Sequence, residues 1–366
     1  MSKLILTRYL YIFDEVCLSL LTALLQGKNL DECNFWASEI YYSKLEDQLW
    51  EFIWFIYYDF YFIKNPDFND FIKKKNKVNN FISVLSVIKN LFKMKNDPSI
   101  FILRQFNSNF KNINCVFRGK KPLWLEKYDI KYHKLLRNIK NNNILNVASM
   151  LPEVLTDEIV NVLKDYFQND KYFEIILDDS YTNHHHKLLC IVYLYLINRE
   201  IIEKNVKKIY MGCKDDEVEF YEELDKINPP LSNEFKIPLL YKLLPMKRKY
   251  EIPEIISSFR LCRFNCESIQ KEINLNWEYN AYMCPVWKER MDKYECYVED
   301  EKIKFKNDDM LEGFYEEYNL EPDEQSYECQ NKININMVSS NWKKWYFEIF
   351  KENNIYEFSD EFKFNY

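Results

Sequence analysis

Glycine is nearly missing from this chain of 366 residues, which carries only Gly27, Gly119, Gly212 and Gly313, all far apart. Loops that cradle phosphate need clustered glycines, so that backbone N–H groups can approach the ligand closely. A P-loop and a dinucleotide-binding fingerprint are therefore excluded. Tight hairpin turns built on glycine must also be few, which shifts the expectation towards helices. Histidine is equally scarce, at four residues, and neither an H-E-x-x-H pair nor a G-x-S-x-G elbow occurs. No stretch offers ~18 uninterrupted apolar residues, so no membrane span is expected. The opening stretch up to Gly27 contains Asp14 and Glu15 and no small-residue cleavage site follows it, so it reads as a buried helix and not as a targeting segment.

Aromatic residues are abundant, at 17% of a chain that is 47% hydrophobic. The length suits two sub-domains, and a break is expected at Asn228-Pro229-Pro230. That divides a helical part, 1–228, from an acidic, mostly helical part, 231–366. The ten cysteines, with no secretory signal, suggest free thiols in a reducing compartment such as the cytoplasm. The net charge of −7 hides a segregation. Residues 64–140 carry 18 Lys and Arg against 5 Asp and Glu, a net of +13, which leaves −20 for the rest.

The periodicity predicts a mainly α protein, a multi-helix stack that is irregular or HEAT-like. A first helix is expected over 8–26, with Thr7 as its cap and Gly27 just past its end. Asn29 with Glu32, and Ser43 with Glu46, have capping-box spacing and would open the second and third helices. The third contains EFIWFIYYDFYFI (51–63), apolar around nearly its whole circumference and too short to span a bilayer. It is expected to lie among the first two helices and the 79–94 helix, with the hydroxyls of Tyr57, Tyr58 and Tyr61 on partners or at a rim. The stretch 98–128 is irregular, and PSIFILRQF within it suits helix or strand. KLLCIVYLYLI (187–197) reads as a buried helix. The alternation of ECYVEDEKIKF predicts a small β-hairpin near 296–305.

The basic block is the strongest functional signal. Lys73, Lys74, Lys75 and Lys77, then Arg118, Lys120 and Lys121 with Trp124 nearby, could neutralise phosphates and stack an unpaired base. The competing account is a solvated surface that docks on the acidic remainder of the same chain. Two metal arrangements also arise. Asp178 and the run His184, His185 and His186, with Cys190 one helical turn on, could serve a metal-dependent enzyme. Cys262, Cys266, Cys284 and Cys296 could supply four thiolates to zinc. A polar helix start and small buried cysteines explain the same residues more simply, so no cofactor is expected.

Two blocks carry a resemblance. LTRYLYIFDEVCLSLLTALL, DECNFWASEIYYS and IYYDFYFIKNP lie within 6–66, and CPVWKERMDKY with FKNDDMLEGFYEEYNLEPDEQS within 284–326. Together they resemble a family of proteins encoded by giant (nucleocytoplasmic large) DNA viruses, mimivirus-like. The resemblance implies a viral protein acting in the host cytoplasm or viral factory, and it carries over no catalytic residues. The leading expectation is a non-enzymatic scaffold for protein partners, with a basic segment facing nucleic acid, RNA above all. It would support viral translation or transcription and need no membrane. A structural or assembly protein of the virion is the alternative, beside the metal-dependent enzyme.

Overall fold

A computed structural model describes residues 4–105, 120–154, 156–168, 171–197, 209–218, 221, 250–251, 275–318 and 338–339. The fold is mainly helical, as the periodicity predicts. The helices are α1 (Phe13–Gln26), α2 (Leu30–Tyr41), α3 (Glu46–Phe60), α4 (Phe68–Val78), α5 (Phe81–Lys93), α6 (Ser99–Gln105), α7 (His133–Lys140), α8 (Ile144–Met150), α9 (Thr156–Phe167), α10 (His184–Ile197), α11 (Pro285–Asp292) and α12 (Asp308–Glu317). A further helical segment covers 275–282. The chain forms two compact units, and neither is one continuous stretch. The first comprises Met1–Phe52, Val78–Lys93 and Met211–Lys351; the second comprises Ile53–Lys77, Met94–Tyr210 and Glu352–Tyr366. The expected break at 228–230 lies outside the described residues.

In the first unit α1, α2 and α5 pack together. The side chain of Asn29 accepts from the N–H groups of Asp31 and Glu32, as its spacing predicts. Gly27 ends α1 in the left-handed region at φ 59°, donating its N–H to Ala23 O. Two expectations are corrected. α1 starts at Phe13 and not near Arg8, because residues 6–12 form a short turn closed by a Leu6–Ile12 bridge. Thr7 and Ser43 do not cap helices. The Thr7 hydroxyl donates to Glu39 Oε1 at 2.6 Å, and Ser43 Oγ accepts from the Arg8 N–H at 2.9 Å while donating to Glu39 O. Both hydroxyls serve a buried hub in which Arg8 Nε lies 3.0 Å from Glu39 Oε2, with both side chains at most 1% exposed.

The same hub receives the later part of the chain. Trp287 Nε1 of α11 donates to Thr7 O at 2.9 Å, and Cys284 Sγ donates to Ser43 O at 3.2 Å. Trp287 also packs edge-on to Trp277, and Phe314 of α12 lies alongside both. The β-hairpin is present: β2 (Tyr297–Glu299) pairs antiparallel with β3 (Lys302–Lys304). Its turn places Asp300 and Glu301 at φ 50° and 58°. Those are the left-handed angles that hairpin turns demand and that glycine would adopt without strain. Two residues elsewhere, β1 (Tyr250–Glu251), pair parallel with β4 (Val338–Ser339).

In the second unit the aromatic half of α3 is enclosed by neighbours that the sequence did not single out. Tyr58 stacks on Tyr181, Phe60 stacks on Phe101 of α6, and Cys190 of α10 donates its thiol to Tyr58 O. The hydroxyls of Tyr57 and Tyr58 do find partners. Tyr57 donates to the carbonyls of Asn65 and Pro66, and Tyr58 to Asn69 Oδ1 of α4. Within PSIFILRQF, Ser99–Gln105 is helix, and Asp97 Oδ1 accepts from the Ser99 N–H and hydroxyl at its start.

Candidate functional site

The lysines of the basic segment divide into those the fold consumes and those it leaves in solvent. Lys73 pairs with Asp178, Lys89 with Glu217, Lys127 with Asp165, Lys131 with Glu158 and Arg104 with Asp59. Each of those acids lies outside 64–140. Five of the 18 cations of 64–140 are therefore answered by acids elsewhere in the same chain.

Of the predicted contact residues, Lys73, Lys74, Lys75 and Lys77 share α4, whose buried side carries Phe68, Asn69 and Ile72. Lys74 and Lys77, three apart on one helical face, are exposed and make no ion pair among the described residues. Lys75 is half-buried, with its ammonium 5.6 Å from the Phe71 ring centroid. Lys120 and Lys121 are exposed, and Arg118 lies outside the described residues. Trp124 is half-buried rather than open for stacking. Its ring lies 5.5 Å from that of Tyr166, and Lys140 Nζ sits 4.8 Å over it.

The histidine run opens α10, and its three rings are directed at three separate partners. His184 Nδ1 donates to Ile176 O at 2.6 Å, and His185 Nε2 donates to Val154 O at 3.2 Å. His186 is buried, with Nδ1 3.0 Å from the Tyr181 hydroxyl and Nε2 2.8 Å from Asp59 Oδ1. Asp178 faces elsewhere, holding Lys73 and the Ser180 N–H. Among the described residues no three His, Cys, Asp or Glu side chains are grouped to hold a metal. Cys262 and Cys266 lie outside the described residues, while Cys284 is buried on Ser43 O.

Sequence reasoning missed the cluster formed by Asp59, Arg104 and His186. Arg104 Nη1 lies 2.9 Å from both Asp59 oxygens, and its guanidinium packs 4.6 Å from the Phe55 ring centroid. Asp59 and His186 have fully buried side chains. Burial works against ionising Asp59, but Arg104 and His186 outweigh it and hold the carboxyl below its ordinary range. Burial lowers His186, Arg104 lowers it further, and Asp59 opposes them only in part, leaving it at about 4. The ring is thus neutral at pH 7, accepting from Tyr181 on Nδ1 and presenting N–H on Nε2 to Asp59. Nδ1 is taken by Tyr181, and Nε2 faces the Asp59 carboxylate at 2.8 Å inside the core. The signal in the sequence was Asp59 itself, a charge inside a helix apolar all round, which burial obliges to be paired.

This cluster sets a pH dependence. In the unfolded chain His186 protonates near 6.5, whereas in the fold it waits until about 4. The unfolded state therefore binds the extra proton in that window, and stability falls as pH drops through it. The expected loss is about 3 kcal/mol between pH 6.5 and 4. Urea unfolding at pH 7 and pH 4.5 measures it, and His186→Gln should flatten the slope. An equal slope in that variant would remove His186 from the account.

Lys187, next in α10, is also buried, and its ammonium donates to Asp178 O at 2.5 Å. Burial lowers it to about 8 against the pull of Asp178 and Asp179. Comparison with protein-family models, curated proteins and solved structures finds no match for this chain.

Proposed function

We propose that the chain is a non-enzymatic helical interaction scaffold that uses the lysines of α4 to hold nucleic acid, RNA in the first instance. The exposure of Lys74 and Lys77 carries this reading, because they remain in solvent while neighbouring cations are consumed by internal acids. Ammonium groups on one helical face neutralise successive phosphates and release counterions, which needs no base-specific geometry. The scaffold half of the reading is supported by the fate of the other candidate groups. His184, His185, His186, Asp178 and Cys284 each serve a structural hydrogen bond or ion pair. A role in viral translation or transcription follows from the giant-virus resemblance alone and is part of the proposal.

The test is RNA binding by fluorescence anisotropy across a salt series. The protein should bind single-stranded RNA at low salt, with affinity falling steeply as salt rises. Lys74→Ala with Lys77→Ala should weaken binding about tenfold and reduce the salt slope by about 2. Both residues are exposed, so the variant keeps its fold. Absence of affinity for RNA at low salt sinks the nucleic-acid reading.

A further inference from the structure

We propose that the segment 120–134 is a peripheral membrane-contact surface, which inserts Leu123 and Ile130 into an anionic lipid bilayer. The segment begins Lys120-Lys121-Pro122 and makes two short 3-10 turns, Leu123–Leu125 and Ile130–Tyr132. Both turns are rooted. Leu125, Tyr128 and Tyr132 are buried beneath them. The segment runs along α9: Trp124 lies on Tyr166, Lys127 Nζ is 2.9 Å from Asp165, and both Lys131 and Tyr132 hold Glu158. From Glu158 to Tyr166 the helix rises about 12 Å, so the two turns are fixed on one short platform. Leu123 and Ile130 are each 81% exposed.

A lone exposed aliphatic side chain needs no explanation. Two on one rooted platform, with cations beside them, form a pattern. Lys120 and Lys121 immediately precede Leu123, Lys134 follows Ile130, and all three are exposed without an ion pair among the described residues. The exposed acids of the segment are Glu126 and Asp129, and Asp129 accepts the Lys131 N–H. Free positive charge is thus concentrated at the Leu123 end. RNA is a poor fit for these tips, since bases stack on aromatic faces and the one indole here is covered by Tyr166 and Lys140. A protein partner would have to supply a cavity for each tip. A bilayer interface accepts protruding aliphatic side chains directly and binds lysines through anionic headgroups. No described helix is long and apolar enough to cross a membrane, and surface contact requires none. The expectation of no membrane partner rested on spanning length and does not bear on this mode.

The proposal does not depend on the RNA reading, and the two separate experimentally. The full chain is sedimented with phosphatidylcholine vesicles, with and without phosphatidylserine. It should bind the anionic vesicles and release at high salt. Leu123→Asp and Ile130→Asp should each weaken binding about tenfold or more, with the circular dichroism spectrum unchanged. Lys74→Ala with Lys77→Ala should leave vesicle binding intact. Failure of the wild-type protein to bind anionic vesicles overturns the proposal. So does undiminished binding by the Leu123→Asp, Ile130→Asp double variant, which would reduce the surface to a general polyanion face.

Discussion

Replacing Asp59 by alanine should destabilise the protein by about 3–5 kcal/mol, the cost of stranding a buried charge by removing its partner. Arg104 would lose both 2.9 Å contacts, and His186 would lose the acceptor 2.8 Å from Nε2. Arg104 cannot shed its proton, so the penalty cannot be relieved by neutralisation. The converse variant is informative. Asp59→Leu combined with Arg104→Met removes both charges and substitutes apolar volume, and it should recover part of the loss. Chemical denaturation monitored by circular dichroism reads both. An unchanged midpoint in Asp59→Ala would mean that the carboxylate contributes nothing to stability.

That cluster marks the limit of what the sequence makes legible. Helical periodicity is local, and so are Asn29 with Glu32 and the left-handed cap at Gly27, and all of these are realised. So is the alternation that builds the hairpin. Thr7 and Ser43 fail as caps because tertiary contacts compete for the same hydroxyls: Glu39 takes the first, and Arg8 and Glu39 share the second. The contacts of Thr7 with Glu39 and of Ser43 with Arg8 span more than 30 residues, a separation that periodicity does not reveal. The same holds for the two resemblance blocks at opposite ends of the chain. They meet where Trp287 donates to Thr7 O, Cys284 to Ser43 O and Arg290 to Arg8 O. Charge counting was similarly blind. It found the excess over 64–140 but not that Asp59, Glu158, Asp165, Asp178 and Glu217 would answer part of it. Of the proposed interface residues, Lys74, Lys77, Lys120 and Lys121 are exposed, while Lys73 and Trp124 are drawn into the fold.

Trp54→Ala should cost about 3–5 kcal/mol, the range for deleting a large aromatic side chain from a close-packed core. Trp54 is 2% exposed, stacked on Tyr58 at 5.9 Å and edge-on to Tyr57 at 6.1 Å. Those two tyrosines hold the start of α4 and the turn before it through Asn65, Pro66 and Asn69. A cavity at Trp54 would therefore loosen α4, the helix that presents Lys74 and Lys77. Trp54→Phe separates volume from polarity. The indole Nε1 is buried and has no hydrogen-bond partner among the described residues. Removing that N–H relieves a desolvation cost of about 1–3 kcal/mol, which offsets much of the lost ring volume. Trp54→Phe should accordingly lie within about 1.5 kcal/mol of the wild type, like other conservative core swaps. A large loss in Trp54→Phe would show that the indole nitrogen contributes to stability. Equal melting temperatures for Trp54→Ala and wild type would contradict the placement of this side chain in the core.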